Sequence, residues 1–167
     1  TITNHETTEM KKNIIAGYQL TCVGDNNDFS FMPSRLDQTL SDRMARHVLD
    51  NLDIKYKEYD FLTRGSDERQ YCYPGVDLPV SSVMRTKYAH YDEYHTSLDN
   101  LDFISQEGLE GAYDVYKLII DCLESNLIYT NNILCEPQLG KRGLYPHLSH
   151  LDVSFKIKNL VNFLAYC

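Results

Sequence analysis

The sequence predicts an α/β fold with a partial, mostly parallel sheet and helices on both faces. Three apolar, strand-like segments alternate with two amphipathic helical segments along the first 126 residues. Such alternation is typical of parallel sheets, since two parallel strands need a crossover connection that a helix supplies. The strand segments span 12–24, 55–63 and 80–86, and the helical segments span 35–52 and 107–126.

The first two elements are read from composition and periodicity. Residues 12–24 are rich in apolar and β-forming side chains and lead into Gly-Asp-Asn-Asn at 24–27, which predicts a strand followed by a loop. In the next segment Leu40, Met44 and Val48 recur at helical spacing. Thr39 and Ser41 are candidate N-caps for that helix.

The remaining elements of this part follow the same logic. Residues 55–63 alternate between polar and apolar side chains like a strand, and a long Gly- and Pro-containing loop leads to a short strand at 80–86. The segment 107–126 predicts a long helix with one apolar stripe. The stripe comprises Leu109, Ala112, Tyr113, Tyr116, Ile119, Ile120 and Leu123.

The pattern changes after Asn126, which predicts a domain boundary there. We expect residues 1–126 to form the main domain, and residues 127–167 to form a linker followed by the start of a small helical domain. The apolar spacing in "VSFKIKNLVNFLAYC" favours a helix in this second part. Because the chain starts on Thr1 and stops inside an apolar run, we expect it to be a piece of a longer protein.

Composition excludes some function classes. A formal net charge of −8 argues against nucleic acid as a partner, because phosphate binding needs a basic surface. No apolar run approaches the length of a membrane span, and the first residues lack the apolar core of a signal peptide. The five cysteines form no CxxC pair, so we expect reduced thiols in a cytoplasmic protein.

Three polar loops follow the three predicted strands. In a parallel sheet the carboxyl ends of the strands meet at one end of the sheet, where ligands bind. The loops 24–31, 64–75 and 87–99 would therefore share one site.

His95 is the first candidate in these loops. A lone loop histidine is by default solvated or hydrogen-bonded, and the following Asp99 can be read as a helix cap. Its position after a strand favours a metal ligand instead, because imidazole is the commonest metal ligand, with Asp99 orienting the ring or its neighbours.

The other candidates have equally plain alternatives. The turn at Gly65–Tyr71 is either an acidic surface turn or a substrate loop, in which one acidic side chain faces outward and the other holds the loop. Cys22 and Asp25 are either a buried thiol and a turn residue or metal ligands at a strand end. His147 and His150 have a spacing that can bind zinc, but no third ligand lies nearby in the sequence.

The ordered motifs "GYQLTCVGD", "GSDERQY" and "YHTSLDNLDFI" resemble the C-terminal half of the catalytic domain of co-catalytic zinc aminopeptidases of the bacterial leucyl-aminopeptidase type. The chain is more closely similar to aminopeptidase-like proteins encoded among bacterial polysaccharide-biosynthesis genes. "LCEPQLGKRGLYP" continues that likeness, which covers nearly the whole chain. The resemblance implies a zinc-exopeptidase-like fold, with a winged-helix-like domain after Asn126.

The resemblance also implies roles for particular residues. The family's H-T-x-x-D motif, which supplies a zinc ligand, matches at His95, and its S-D-H loop matches at Ser66 and Asp67 with Glu68 in place of the histidine. Thr21 stands where the family's Q-L-D-M motif has a ligand aspartate, so Cys22 or Asp25 would have to rebuild that position.

The implied cofactor is zinc, with two ions in the full-length protein, whose other ligands and general base are expected upstream of this chain. Four residues are expected to bind the peptide or amide substrate: Ser66, Asp67, Glu68 and Arg69.

Three function hypotheses stay open at this point. The first is a zinc-dependent aminopeptidase-like hydrolase that removes N-terminal residues from peptides or acts on a related amide, with the fragment inactive alone. The second, favoured by Thr21 and Glu68, is a non-catalytic binding or scaffold module linked to polysaccharide biosynthesis. The third is an interaction domain without a site. An open sheet edge in the fragment would also permit homo-oligomers.

Overall fold

The computed structural model describes residues 4–132, 134–144 and 155–166. The chain divides into two compact units, Thr1–Ser125 and Asn126–Cys167. The first unit contains a four-stranded sheet, in which β1 spans Gly17–Tyr18, β2 Phe29–Met32, β3 Tyr56–Glu58 and β4 Val80–Met84. Its helices are α1 (Asn4–Asn13), α2 (Leu40–Asn51), α3 (Glu68–Tyr71) and α4 (Gln106–Ser125).

The strand order in the sheet is β1-β4-β2-β3. The β1–β4 and β2–β3 pairings are parallel, and the central β2–β4 pairing is antiparallel. The prediction of an α/β fold with a mostly parallel sheet is therefore confirmed, because two of the three pairings are parallel.

One detail of the predicted topology is wrong. We expected all three polar loops to leave from the same end of the sheet. The chain reverses direction between β3 and β4, so the loop after β3 leaves from the end opposite to the loops after β1 and β4. The irregular segment at 64–79, which contains only the one-turn helix α3, allows this reversal because it is not a helical crossover.

The main core lies between one face of the sheet and helices α2 and α4. Fully burying each large apolar side chain contributes about 1.5–3 kcal/mol, so this layer dominates the stability of the unit. Part of the predicted stripe on α4 is wrong, since Leu109, Tyr113 and Ile120 are exposed. The buried residues of this layer are Phe29, Phe31, Ala45, Val48, Leu49, Val83, Val115, Tyr116 and Ile119.

Helix α2 begins at a buried carboxylate. Thr39 occupies the predicted N-cap position, and the fully buried Asp42 accepts hydrogen bonds from the Thr39 amide at 2.9 Å and the Ser34 amide at 2.7 Å. An acidic side chain in the first turn satisfies free backbone donors and complements the helix dipole. Asp42 thus fixes both the start of α2 and the chain that enters it from β2.

The opposite face of the sheet carries two smaller clusters. Met32, Met84 and Tyr88 form one of them, against which Cys22, Tyr59 and Tyr94 pack. Cys72, directly after α3, forms the other with Leu78 and Val80, and Met10 of α1 packs against it. Helical segments therefore cover both faces of the sheet, as predicted, although α3 is only four residues long.

Two glycines set the contact between the first loop and α4. A Cβ on Gly108 would lie 2.3 Å from the carbonyl oxygen of Gly24 and 2.4 Å from that of Asp25. The Ser105 amide donates to the Gly24 carbonyl at 2.9 Å, and the Ser105 hydroxyl accepts from the Gly108 amide. The loop backbone therefore rests directly on the first turn of α4.

The second unit contains α5 (Phe155–Ala165), which confirms the helix predicted near the end of the sequence. A 3₁₀ turn at Leu139–Arg142 buries Leu139, and Gly143 ends it in the left-handed conformation. Among the described helices of both units, none is long and apolar enough to cross a membrane.

Candidate functional site

Glu68 is the centre of the candidate site. It is the first residue of α3, and its side chain is only 1% exposed. Its Oε1 accepts hydrogen bonds from the amides of Gly65 and Ser66, both at 2.8 Å, and from the Tyr88 hydroxyl at 2.9 Å. This carboxylate holds the turn closed and ties it to the segment that follows β4.

The other oxygen of Glu68 is buried and has no hydrogen-bond partner among the described residues. A buried carboxylate oxygen without a donor is costly, so an arrangement that keeps one is unusual. The neighbours of Glu68 behave differently, because Asp67 and Arg69 are exposed and Ser66 is half-buried. Within this turn Glu68 therefore faces inward and Asp67 outward, and the role of the turn in substrate binding stays a prediction.

Gly65 is required where the turn meets Tyr88. The Gly65 amide donates to the Tyr88 hydroxyl at 2.7 Å. A Cβ at this position would lie 2.8 Å from Cε2 of the Tyr88 ring, closer than real contacts allow. The absence of a side chain lets the turn rest on the aromatic ring.

Lys87 adds a buried positive charge to the same face. It is 3% exposed, and its Nζ lies 4.0 Å from the centroid of the Tyr88 ring. Burial lowers the pKa of Lys87, while the charges of Glu68 and Cys22 act in the opposite direction. An ammonium, a carboxylate and a thiol therefore influence one another here.

Cys22 approaches from the loop after β1. Its backbone is left-handed, with φ 51°, and its sulfur lies 3.4 Å from the Tyr91 hydroxyl. Burial raises the pKa of Tyr91, and the hydrogen bond with Cys22 raises it further. The thiol is half-buried and faces the aromatic segment after β4, in which Tyr91 stacks on Phe103 at 5.0 Å.

Asp25 has a different environment. Its carboxylate is 3% exposed and accepts hydrogen bonds from the Asn27 amide at 3.0 Å, the Thr86 amide at 3.0 Å and the Thr86 hydroxyl at 2.9 Å. These bonds fasten the loop after β1 to the end of β4. A metal ion at Asp25 would have to displace donors that already occupy both oxygens.

His95 is exposed, and its ring stacks on Tyr94 with the centroids 4.0 Å apart. Its backbone is left-handed, with φ 58°. Tyr94 in turn lies 6.3 Å from Tyr88, so aromatic contacts connect His95 with the turn at Glu68.

Asp99 does not cap the following helix, because α4 begins at Gln106 and Ser105 provides the hydroxyl cap. The helix-cap reading of Asp99 is therefore wrong.

The described residues contain no group of three His, Cys, Asp or Glu side chains that could hold a metal ion. Since Asp25 is also fully engaged, the donors of this part of the chain do not fit a complete zinc site by themselves. The candidate pair His147 and His150 lies outside the described residues.

The sequence interpretation missed Lys87 and Tyr88. The position of Lys87 directly after the apolar segment predicted as a strand at 80–86 is an available signal, since a lysine there is hard to keep solvated. The partnership between Tyr88 and Glu68 depends on the tertiary fold and leaves no local pattern.

Comparisons with known proteins agree with this architecture. Residues 2–126 match the family described as "Domain of unknown function (DUF4910)", and residues 127–167 match a winged helix-turn-helix family. A curated relative from Clostridium acetobutylicum is 43% identical over 135 residues, which cover 80% of this chain and 31% of the relative. It is named "Putative polysaccharide biosynthesis protein with aminopeptidase-like domain".

Two solved structures share the fold. The crystal structure of a "putative peptidase" from Clostridium acetobutylicum has a TM-score of 0.72 and 34% identity, covering 95% of this chain and 40% of that one. An aminopeptidase from Aneurinibacillus sp. strain AM-1 has a TM-score of 0.53 and 19% identity, covering 72% of this chain and 27% of that one. At this identity the likeness is one of fold alone.

The chain thus spans about a third of the curated relative that it matches. The resemblance to aminopeptidase-like proteins of polysaccharide biosynthesis is confirmed by these relatives. One curated relative of the chain is named as having an aminopeptidase-like domain, and with three quarters of its length matched by one family, the chain belongs to the DUF4910 family.

Proposed function

We propose that the full-length protein containing this chain is an aminopeptidase-like hydrolase that removes N-terminal residues from peptides or cleaves a related amide. In this proposal the chain is the C-terminal part of the catalytic domain, followed after Asn126 by a linker and the start of a winged-helix-like domain. The single observation that carries it is the hydrogen-bonded closure of the Ser66–Glu68 turn on Tyr88. It joins the second of the three segments that resemble aminopeptidase motifs to Tyr88, whose ring lies 6.3 Å from that of Tyr94 at the start of the third segment.

The exposed side chains of the turn suit the recognition of a peptide. Asp67 offers a carboxylate to the free amino group of a substrate, and Arg69 offers a fork of donors to a carbonyl or carboxylate. The Arg69 Nε already donates to the Ser66 carbonyl at 3.1 Å, which orders the guanidinium beside the turn. Glu68 acts indirectly, because its hydrogen bonds hold the turn that carries Asp67 and Arg69.

Zinc is the proposed cofactor, with two ions expected in the full-length protein. In this class of reaction zinc lowers the pKa of bound water and polarises the scissile carbonyl. Because the donors among the described residues do not complete a site, we expect the remaining ligands and the general base from other parts of the protein. We propose His95 as the ligand that this chain contributes, with Cys22 and Asp25 as the other candidates.

The test is zinc content and hydrolysis of aminoacyl p-nitroanilides by the full-length protein, with and without His95→Ala. We expect bound zinc in the unmodified protein and a loss of both zinc and activity in the variant, because one ligand is removed. His47→Ala, at another histidine of the chain, is the matched control. Zinc content and activity that do not change in His95→Ala would refute the role of His95.

A second candidate function is a non-catalytic binding or scaffold module linked to polysaccharide biosynthesis. It is favoured by the engaged carboxylate of Asp25 together with Thr21 at the position of the family's ligand aspartate. Full-length protein that contains no zinc and binds a peptide without cleaving it would support this alternative. Stoichiometric zinc together with turnover would exclude it.

We also propose a cytoplasmic location, supported by the free thiols of Cys22, Cys72, Cys122 and Cys135. Peptide or amide substrates are the proposed partners. We further propose that the protein forms homo-oligomers through an open sheet edge.

A further inference from the structure

A cleft of about 810 Å³ lies beside the edge strand β3, in the first unit of the chain. It is formed by the loop after β1, the first residues of β2 and β3, and the residues that follow β4. Its volume falls within the range of small-molecule sites. Several of its side chains are hydrogen-bonding groups, including Asn26, Asn27, Tyr59 and Thr86.

The charges in this cleft are mainly positive. Lys55, Lys57 and Arg85 line it, against one acidic residue, Asp28. This excess contrasts with the net charge of −8 of the whole chain. The ion pairs found among the described residues involve Arg35, Arg46 and Lys117, and thus none of the three cations in the cleft.

Arg85 shows how this positive charge is held. It is 8% exposed, and its Nε donates to the Asp25 carbonyl at 2.9 Å and its Nη2 to the Asn26 side-chain oxygen at 3.2 Å. Its guanidinium lies over the Phe29 ring, with Cζ 4.2 Å from the centroid. These neutral partners orient the guanidinium without neutralising it, which leaves its charge for a ligand.

A second sign of positive potential comes from the rim of the cleft. The Nζ atoms of Lys57 and Lys87 lie 4.6 Å and 5.5 Å from the Tyr59 ring centroid, and the His90 ring lies 5.1 Å from it. The pKa of His90 is lowered by burial, and then by the charges of Lys87 and Lys57. Lys57 and Lys87 therefore both place a positive charge beside Tyr59, which lines the cleft.

We propose that this cleft binds a small polar anion whose charged group is a carboxylate or a phosphate. Lys55 and Lys57 attract the anion, and Arg85 provides a fixed guanidinium that can pair with two of its oxygens. The side-chain amides of Asn26 and Asn27, which line the same cleft, bind the polar remainder of the molecule. The turn at Gly65–Tyr71 does not line the cleft, and the proposal does not depend on the proposed hydrolase activity.

The test is isothermal titration calorimetry on the full-length protein with three probes: inorganic phosphate, glucuronate and neutral glucose. We expect binding of phosphate, of glucuronate or of both, no binding of glucose, and an affinity that falls as salt is raised. Phosphate binding alone would identify a phosphate-bearing ligand, and glucuronate binding alone a carboxylate-bearing one. If neither anion binds at concentrations up to about 10 mM, or if glucose binds equally well, the proposal is overturned.

Variants locate the binding to the cleft. The double variant Lys55→Gln/Lys57→Gln changes two exposed side chains, so it leaves the core intact, and it should weaken anion binding about tenfold or more. Lys12→Gln removes an exposed charge on α1, outside the cleft, and should leave the affinity unchanged. Equal losses in the two variants, or full affinity in the double variant, would refute the assignment.

Discussion

The hydrogen bond between Tyr88 and Glu68 can be removed without changing the shape of the site. Tyr88→Phe deletes the hydroxyl that donates to Oε1 of Glu68 at 2.9 Å and accepts from the Gly65 amide at 2.7 Å. The Gly65 amide keeps its bond to Glu68, so no backbone donor is left without an acceptor. The expected cost is one hydrogen bond to a carboxylate, about 2 kcal/mol.

This loss should appear as easier opening of the turn that carries Asp67 and Arg69. A cost of about 2 kcal/mol corresponds to about a 30-fold larger population of the open state, and to faster amide exchange by the same factor. Hydrogen–deuterium exchange with mass spectrometry on the full-length protein measures this in peptides that cover residues 64–72.

Tyr113→Phe is the matched control, because it removes the hydroxyl of a tyrosine that is 66% exposed on α4. Its exchange in residues 64–72 should equal that of the unmodified protein. If Tyr88→Phe also exchanges within about twofold of the unmodified protein, the Glu68–Tyr88 bond does not hold the turn closed.

Two further predictions concern the stability of the first unit. Gly108→Ala places a Cβ 2.3 Å from the Gly24 carbonyl oxygen and should destabilise the protein by about 2 kcal/mol or more in urea unfolding. Gly111 lies on the same helix, and a Cβ there would lie 3.4 Å from its nearest neighbour, Nη1 of Arg85. Gly111→Ala should therefore be neutral or stabilise the protein by up to about 1 kcal/mol. Equal losses of stability in the two variants would contradict this prediction. Burial raises the pKa of Tyr88 and Tyr116 above the unfolded value of about 10, so the unfolded chain loses these protons first. Below pH 9 these groups should leave the free energy of unfolding unchanged. Above pH 10 that free energy should fall by about 1.4 kcal/mol per pH unit for each tyrosine. Equal stability at pH 8 and pH 11 in urea unfolding would refute this prediction.

The long elements of the fold could be predicted from the sequence because their periodicity is strong. The helix predicted at 35–52 contains α2, and the strand predicted at 80–86 contains β4. The helix predicted at 107–126 matches α4, Gln106–Ser125, to within one residue at each end. Strand β2 was missed, because its four residues are all buried and so lack the alternation that marks a half-buried strand. The direction of β4 was also out of reach, since an irregular connection does not encode the orientation of the next strand.

The candidate site could be predicted at the level of segments but not of side-chain roles. The turn containing Glu68 was selected from its motif, and the inward position of one acidic residue was among its readings. What decides that Glu68 is the inward one is the Tyr88 hydroxyl, twenty residues further along the chain. Asp25 illustrates the same limit, because its carboxylate is engaged by Thr86, a residue that only the fold brings near.

The contact between Gly24 and Gly108 has a consequence for engineering. Because two backbones touch there, the polypeptide carrying Asp25 cannot move without moving the start of α4. Libraries that aim to reshape the neighbouring cleft should therefore keep both glycines and diversify positions 26–28, whose side chains are exposed. Substitutions at either glycine are expected to lower stability instead of altering ligand preference.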